Sequence, residues 1–280
     1  MKRVLLDGRL LAPEDAHVAI TDRGFLLGDG VFETMAVHNG RVFDLDAHLG
    51  RLACGLRTLG FAQAVDIAEL RTAIANYLAC EEAASAVMRL TVTRGPGPRG
   101  LAPPEAPHPV ILMTLAPMPP PRETPLSLHI ATATRRNELS PLSRIKALPY
   151  LDNVLALSEA RAHGADDALM LNTRGTIACG AAANIFAIRD GRLETPPLRD
   201  GALPGTLRAL VLSLAGEAGL TAVEVSLDAS ALAGADHVFL TNSIIRLTEA
   251  AQCDGVPLQR QAGVAVNQLR ALIASRFDAA

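Results

Sequence analysis

Lysine is nearly missing from this chain. Of its 26 basic residues 24 are arginine, which leaves Lys2 and Lys146. Cysteine is also sparse: Cys54, Cys80, Cys179 and Cys253 are widely spaced and form no CxxC pair, as in a reduced, cytoplasmic protein. A net charge of −3 argues against non-specific nucleic-acid binding, which needs a basic stripe. No apolar run approaches the roughly 20 residues that span a membrane. Asp7 and Arg9 come too early for a signal-peptide core. HExxH, GxSxG and P-loop motifs are absent, and the seven histidines are scattered without ligand spacing, so no metal is expected. GDGVF at 28–32 contains GxG without the rest of a dinucleotide fingerprint.

What is present reads as short strands mixed with helices, without regular βαβ alternation. Residues 2–11, 16–20 and 31–43 read as strands, with HNGR at 38–41 a hairpin turn. Leu49, Leu52, Leu56 and Leu59 recur at helical spacing, with Asp46 as cap and Gly60 as stop, and a second helix runs near 66–80. The proline-rich PMPPPRETP favours an extended spacer. The expected fold is α+β in two domains: a small N-terminal domain over 1–116, a linker at 117–125 and a larger domain over 126–280, whose last helix covers 262–277.

The retained lysine is the sharpest compositional fact. An amine can lose its proton and attack a carbonyl to form a Schiff base, which a guanidinium cannot do. Lys2 is terminal, whereas Lys146 lies among apolar neighbours in PLSRIKALPYLDNVLA, just before a helix-like stretch. An ordinary lysine that escaped replacement is the plain alternative, so Lys146 needs partner motifs. Three anion binders are candidates. LPGTLRALVLS sets Gly205, Thr206 and Leu207 at a helix start, where N–H groups and the dipole favour phosphate. LTNS ends a strand with Thr241, Asn242 and Ser243 as donors, and Arg51 could supply a bidentate charge. Each alone also reads as a helix cap, a satisfied turn or a solvated arginine. Taken with Lys146 they describe pyridoxal phosphate (PLP), an aldehyde for the lysine and a phosphate for the rest.

The segments TDRGFLLGDGVFETM, DLDAHLGRL, VTRGPGPRG, IKALPYLDNVLA, NTRGTIACGAAANIF, ALPGTLRALV and VFLTNS stand in the order of a known family. Over residues 21–243 the chain resembles the class IV (fold-type IV) PLP-dependent aminotransferases. That family holds branched-chain and D-amino-acid aminotransferases and 4-amino-4-deoxychorismate lyases. The resemblance implies that the 126–280 domain binds PLP. It implies that Lys146 forms the Schiff base and shuttles the Cα proton. It also implies that Arg51, the amides of Thr206 and Leu207, and Ser243 or Thr241 hold the phosphate. Tyr150, with a spacing one residue different, corresponds to a tyrosine near the cofactor's phenolic oxygen. A homodimer is implied, its 94–101 loop reaching into the neighbour's site.

The chain departs from the family at one position. Asn184, Ile185 and Phe186 match, but Cys179 stands where the family has a glutamate that keeps the pyridine nitrogen protonated. A thiol with a pKa of about 8.5 is mostly neutral and a weak partner. The electron sink is then weakened, unless a cationic ring stabilises a thiolate. Within the family, Phe32 replaces the tyrosine of D-amino-acid enzymes, and RGPGPRG matches an Arg-Gly-x-Gly-x-Arg-Gly pattern of the lyases. Arg94 and Arg99 would suit a substrate with two carboxylates, or serve as structural loop residues. The leading expectation is pyruvate elimination of the deoxychorismate-lyase kind, in folate biosynthesis. The alternatives are transamination of branched-chain L- or D-amino acids, and a PLP-binding protein with weak catalysis.

Overall fold

The computed structural model describes residues 2–258 and 263–278. They fall into two units: residues 2–119 with Ile145–Pro149, and Pro120–Arg144 with residues 150–278.

The first unit is a six-stranded antiparallel sheet with helices on one face. Strands β1 (Val4–Leu6), β2 (Arg9–Leu11), β3 (Gly30–His38), β4 (Arg41–Val42), β5 (Ser85–Thr93) and β6 (Val110–Ala116) lie in the order β2-β1-β6-β5-β3-β4. The HNGR turn between β3 and β4 forms as expected: Asn39 and Gly40 take φ of 49° and 76°, the left-handed pair that a two-residue hairpin loop needs. Residues 16–20 are not a strand. Val18 and Ile20 are exposed there, and the Thr21 carbonyl accepts from Gly97 N–H at 3.2 Å. A short helix α1 (Arg23–Leu27) follows, capped by Asp22, which accepts from the Phe25 N–H.

Helices α2 (Leu45–Leu59) and α3 (Ile67–Cys80) cover the sheet. Leu49, Leu52 and Leu56 of α2 and Leu70, Ile74 and Tyr77 of α3 bury against Met35 of β3 and Met88, Leu90 and Val92 of β5. Each such side chain contributes about 1.5–3 kcal/mol. Asp46 does not cap α2. The helix begins after Asp44, and Asp46 sits in the first turn, where it pairs with Arg71. Gly60 ends α2 at φ 79°, and Asp66 caps α3 by accepting from the Ala68 and Glu69 N–H groups.

The lysine segment joins this first unit rather than the second. Residues 145–149 lie along β3: Phe32 N–H donates to the Lys146 carbonyl at 2.9 Å and Leu148 N–H to the Gly30 carbonyl at 3.0 Å. The glycines of GDG explain the close approach. A Cβ at Gly30 would stand 2.7 Å from Leu148 Cδ1 and one at Gly28 2.7 Å from Pro149, so the motif serves backbone packing.

The second unit is a nine-stranded mixed sheet of β7 (Leu126–Ile130), β8 (Asp167–Leu171), β9 (Ile177–Gly180), β10 (Asn184–Arg189), β11 (Arg192–Thr195), β12 (Thr221–Glu224), β13 (His237–Asn242), β14 (Arg246–Cys253) and β15 (Val256–Pro257). The order is β12-β11-β10-β13-β14-β7-β8-β9, with β15 on β14. Helix α4 (Leu151–Ala162) buries Ala156 and Ala160 with Ala168, Met170 and Cys179. Helices α5 (Thr206–Leu214), α6 (Ala229–Ala233) and α7 (Val264–Asp278) complete the unit. The expected start of the last helix at residue 262 lies outside the described residues. Among the described residues no helix is long and apolar enough to cross a membrane, and no three His, Cys, Asp or Glu side chains gather as a metal site.

Candidate active site

In the first unit, Lys146 and Arg89 both meet one side chain of the sheet, Phe32. The Lys146 Nζ lies 4.4 Å from the centroid of the Phe32 ring, and the Arg89 guanidinium carbon lies 3.9 Å from the same centroid. Phe32 pairs with Thr91 across β3 and β5, so Arg89 is its diagonal neighbour on that face. Both cations use the negative face of one aromatic ring. The sequence reading missed Arg89; the signal for it was a charge inside the apolar alternation of β5.

Arg51 is held by a carboxylate that the sequence reading also missed. Glu33 on β3 is fully buried and accepts from Arg51 Nε at 2.8 Å and from Arg51 Nη2 at 2.5 Å, while His48 Nδ1 stands 2.7 Å from Glu33 Oε2. Burial pushes the Glu33 carboxyl up, but Arg51 and His48 outweigh it and hold the group below its ordinary value.

Arg94 is committed elsewhere. Its Nε donates to Asp29 at 2.7 Å, its Nη2 to the Leu59 carbonyl at 2.6 Å, and it stacks on Phe61. Asp29 also accepts from Arg23 Nε at 2.8 Å, and Arg23 donates to the carbonyls of Gly100, Leu101 and Ala102. Of the two expected substrate arginines, Arg94 is thus a buried brace and Arg99 stays exposed on the loop that Arg23 ties down.

The second unit gathers the expected phosphate binders other than Arg51, which lies in the first. Asn184 on β10 is paired directly with Thr241 on β13, so their side chains share a face. Asn184 Nδ2 donates to the Leu203 carbonyl at 2.9 Å, and a Cβ at Gly205 would stand 2.0 Å from Asn184 Oδ1. Only glycine fits that contact, and it is the N-cap of α5. Thr206 and Leu207 are the first two residues of that helix, both buried, and the Thr206 and Ser243 hydroxyls are 3.2 Å apart. Thr241 Oγ1 is buried with no hydrogen-bond partner among the described residues. Two hydroxyls, an orphaned third and a glycine-capped helix start suit an anion with several oxygens. Asn242 stands apart: its amide donates to the Ala182 carbonyl and its carbonyl accepts from the Ile244 and Ile245 N–H groups, so it builds the turn.

Tyr150 is the N-cap residue of α4. Cys179 is buried at the end of β9, opposite Met170. Burial pushes its thiol up, the Arg136 charge pulls it down and Asp167 pushes it up; the net direction is up, which keeps the sulfur protonated. Asn153 Nδ2 donates to the Ala181 carbonyl at 2.6 Å and fixes the turn beyond it.

A family model described as "Amino-transferase class IV" matches residues 30–253. A putative branched-chain-amino-acid aminotransferase of Methanocaldococcus jannaschii is 33% identical over 96% of this chain and 94% of its own length. The crystal structure of Escherichia coli branched-chain amino acid aminotransferase superposes with a TM-score of 0.91 at 26% identity, covering 98% of this chain and 94% of that one. The 4-amino-4-deoxychorismate lyase structure from Pseudomonas aeruginosa gives a TM-score of 0.85 at 31% identity, covering 97% and 98%.

Proposed function

From the premise that the chain belongs to the class IV aminotransferases, which work with pyridoxal 5'-phosphate, we propose that it is a transaminase for amino acids with apolar side chains. The observation that carries this reading is the Phe32 ring with Lys146 and Arg89 against it, while Arg94 is tied to Asp29. An aromatic wall suits an apolar side chain, and one cation on that wall suits one carboxylate.

The residues fit the cofactor. When bound, it supplies an aldehyde for an amine and a ring that draws electron density from the adjoining carbon. Lys146 would take the aldehyde and afterwards carry the proton to and from that carbon as base and acid. Arg51, the N–H groups of Thr206 and Leu207, and the Ser243 and Thr241 hydroxyls would hold the phosphate, with Asn184 bracing Gly205. Tyr150 would stand near the phenolic oxygen. Cys179 would face the ring nitrogen as a neutral thiol and would not keep it protonated.

The lyase reading keeps one observation in its favour. Arg99 lies exposed on the loop braced by Arg23, available for a second carboxylate, and the Pseudomonas aeruginosa lyase is a relative over nearly the whole chain. We infer a homodimer as the working form, because the large apolar side chains of Ile20, Phe25, Leu26, Leu27 and Leu101 are all exposed on one chain. Sedimentation velocity tests this: a single monomer boundary at micromolar protein would refute it.

The deciding experiment is the visible spectrum of the loaded protein as D-alanine, then L-leucine, is added without a keto acid. Loss of the lysine-bound cofactor's band, with growth of pyridoxamine phosphate, supports transamination and names the handedness. A band unmoved by both donors, with pyruvate released from aminodeoxychorismate, would replace it with the lyase. A band unmoved by all three leaves a weakly catalytic binder.

A further inference from the structure

Glu33 is the most completely buried carboxylate of the first unit's sheet, on the face that carries the helices. Taking a carboxylate out of water costs several kcal/mol unless partners answer it, and an apolar side chain of like volume would usually hold the packing as well. Leu49, Leu52 and Leu56 already fasten α2 to that sheet. Packing therefore gives no reason for a glutamate here; the geometry of its contacts does.

Arg51 and His48 stand three residues apart on α2, so both reach the same carboxylate. Both carboxylate oxygens meet Arg51, through Nε and Nη2, in the two parallel bonds of a fork. Such a fork fixes the plane and the direction of a guanidinium, which a single bond leaves free to swing. His48 Nδ1 on Oε2 holds the carboxylate itself in place, and the whole cluster is shielded: the Arg51 side chain is 10% exposed, His48 1% and Glu33 0%. The Asp29, Arg23 and Arg94 cluster is a separate ion network.

We propose that Glu33, held by His48, is a positioning residue that aims the Arg51 guanidinium at the cofactor's phosphate. The proposal rests on the reading that Arg51 holds that phosphate. Because Glu33 already balances the Arg51 charge, its contribution is direction rather than net positive potential. Its removal should therefore weaken recognition of the phosphate and leave recognition of the aldehyde-bearing ring alone.

The test compares pyridoxal 5'-phosphate with pyridoxal, which lacks the phosphate, on protein freed of cofactor and titrated by absorbance. For Glu33→Gln the affinity for pyridoxal 5'-phosphate should fall about 10- to 100-fold, the scale of losing one or two charge-assisted hydrogen bonds, while that for pyridoxal moves less than about twofold. Glu33→Asp keeps the charge but withdraws it by one methylene, so it should lose about tenfold of the same preference, and it serves if the glutamine variant does not fold. Equal losses for both ligands, together with a lowered melting temperature, would make Glu33 a structural ion pair and overturn the proposal. Arg51→Gln separates the two failures. If it abolishes the phosphate preference while both Glu33 variants keep it, this inference alone fails. If it leaves the preference intact, the phosphate reading of Arg51 fails and takes the inference with it.

Discussion

Phe32 holds Lys146 twice: its backbone N–H donates to the Lys146 carbonyl at 2.9 Å, and its ring lies 4.4 Å from the Lys146 Nζ. The first contact survives any side chain at position 32; the second needs an aromatic face. Phe32→Leu should therefore fold normally and, by removing a contact that favours the protonated ammonium over the neutral amine, speed the amine's reaction with added cofactor by roughly 2- to 30-fold above the natural rate, the scale of a cation–π contact. Phe32→Tyr should restore the natural rate. Stopped-flow absorbance on cofactor-free protein measures both.

With only two lysines in the chain, the reactive amine can be assigned without ambiguity. Borohydride reduction of the loaded protein followed by peptide mapping should label Lys146 and leave Lys2 unmarked. Lys146→Arg should give no stable label, since a guanidinium does not lose its proton.

Arg89→Gln should weaken every acceptor that carries an α-carboxylate. KM should rise about 10- to 100-fold, the value of one or two bonds to a charged group, for 2-oxoglutarate and 4-methyl-2-oxopentanoate alike. Steady-state kinetics with the two acceptors read this directly.

Cys179→Glu places a carboxylate in a buried position beside Arg136 and Asp167. Without cofactor the variant should be about 1–3 kcal/mol less stable by denaturant unfolding, because the added charge is poorly answered. Loaded, it should run the amine half-reaction faster than the natural protein, because a carboxylate favours a protonated ring nitrogen. Cys179→Ser should resemble the natural protein, and an unchanged or slower glutamate variant would remove the electronic role from this position.

Acid stability should report on Glu159. The Thr132 hydroxyl, then the Ala133 and Thr132 N–H groups, hold its carboxyl down at about 2 against an ordinary 4.5, with His129 and Asp254 at the same cluster. A folded pKa below the unfolded one gives stability that is complete above about 4.5 and lost as the pH falls toward 2. Glu159→Gln should therefore lower the melting temperature at pH 7 and flatten its decline between pH 4.5 and 2.

Local chemistry made several elements legible in the sequence. Asn39-Gly40 marked a tight turn, the leucine spacing of 49, 52 and 56 marked a one-sided helix, and Gly205 marked the start of the helix proposed to hold an anion. A lone internal lysine in an arginine-rich chain singled out the amine proposed to react. These are short-range signals, fixed by residue type and period. What the sequence could not rank was its arginines. Arg89 and Arg94 stand five residues apart, yet pairing with β3 puts the first on the Phe32 ring, while Asp29 and the Leu59 carbonyl take the second. The same pairing buries Glu33 beneath Arg51 and draws residues 145–149 onto β3. Asp46 likewise lost its capping role to the turn at Asp44. Residue type supplied the chemistry; which charge is buried, paired or left facing a substrate was decided by the strands and helices that long-range packing brings alongside it.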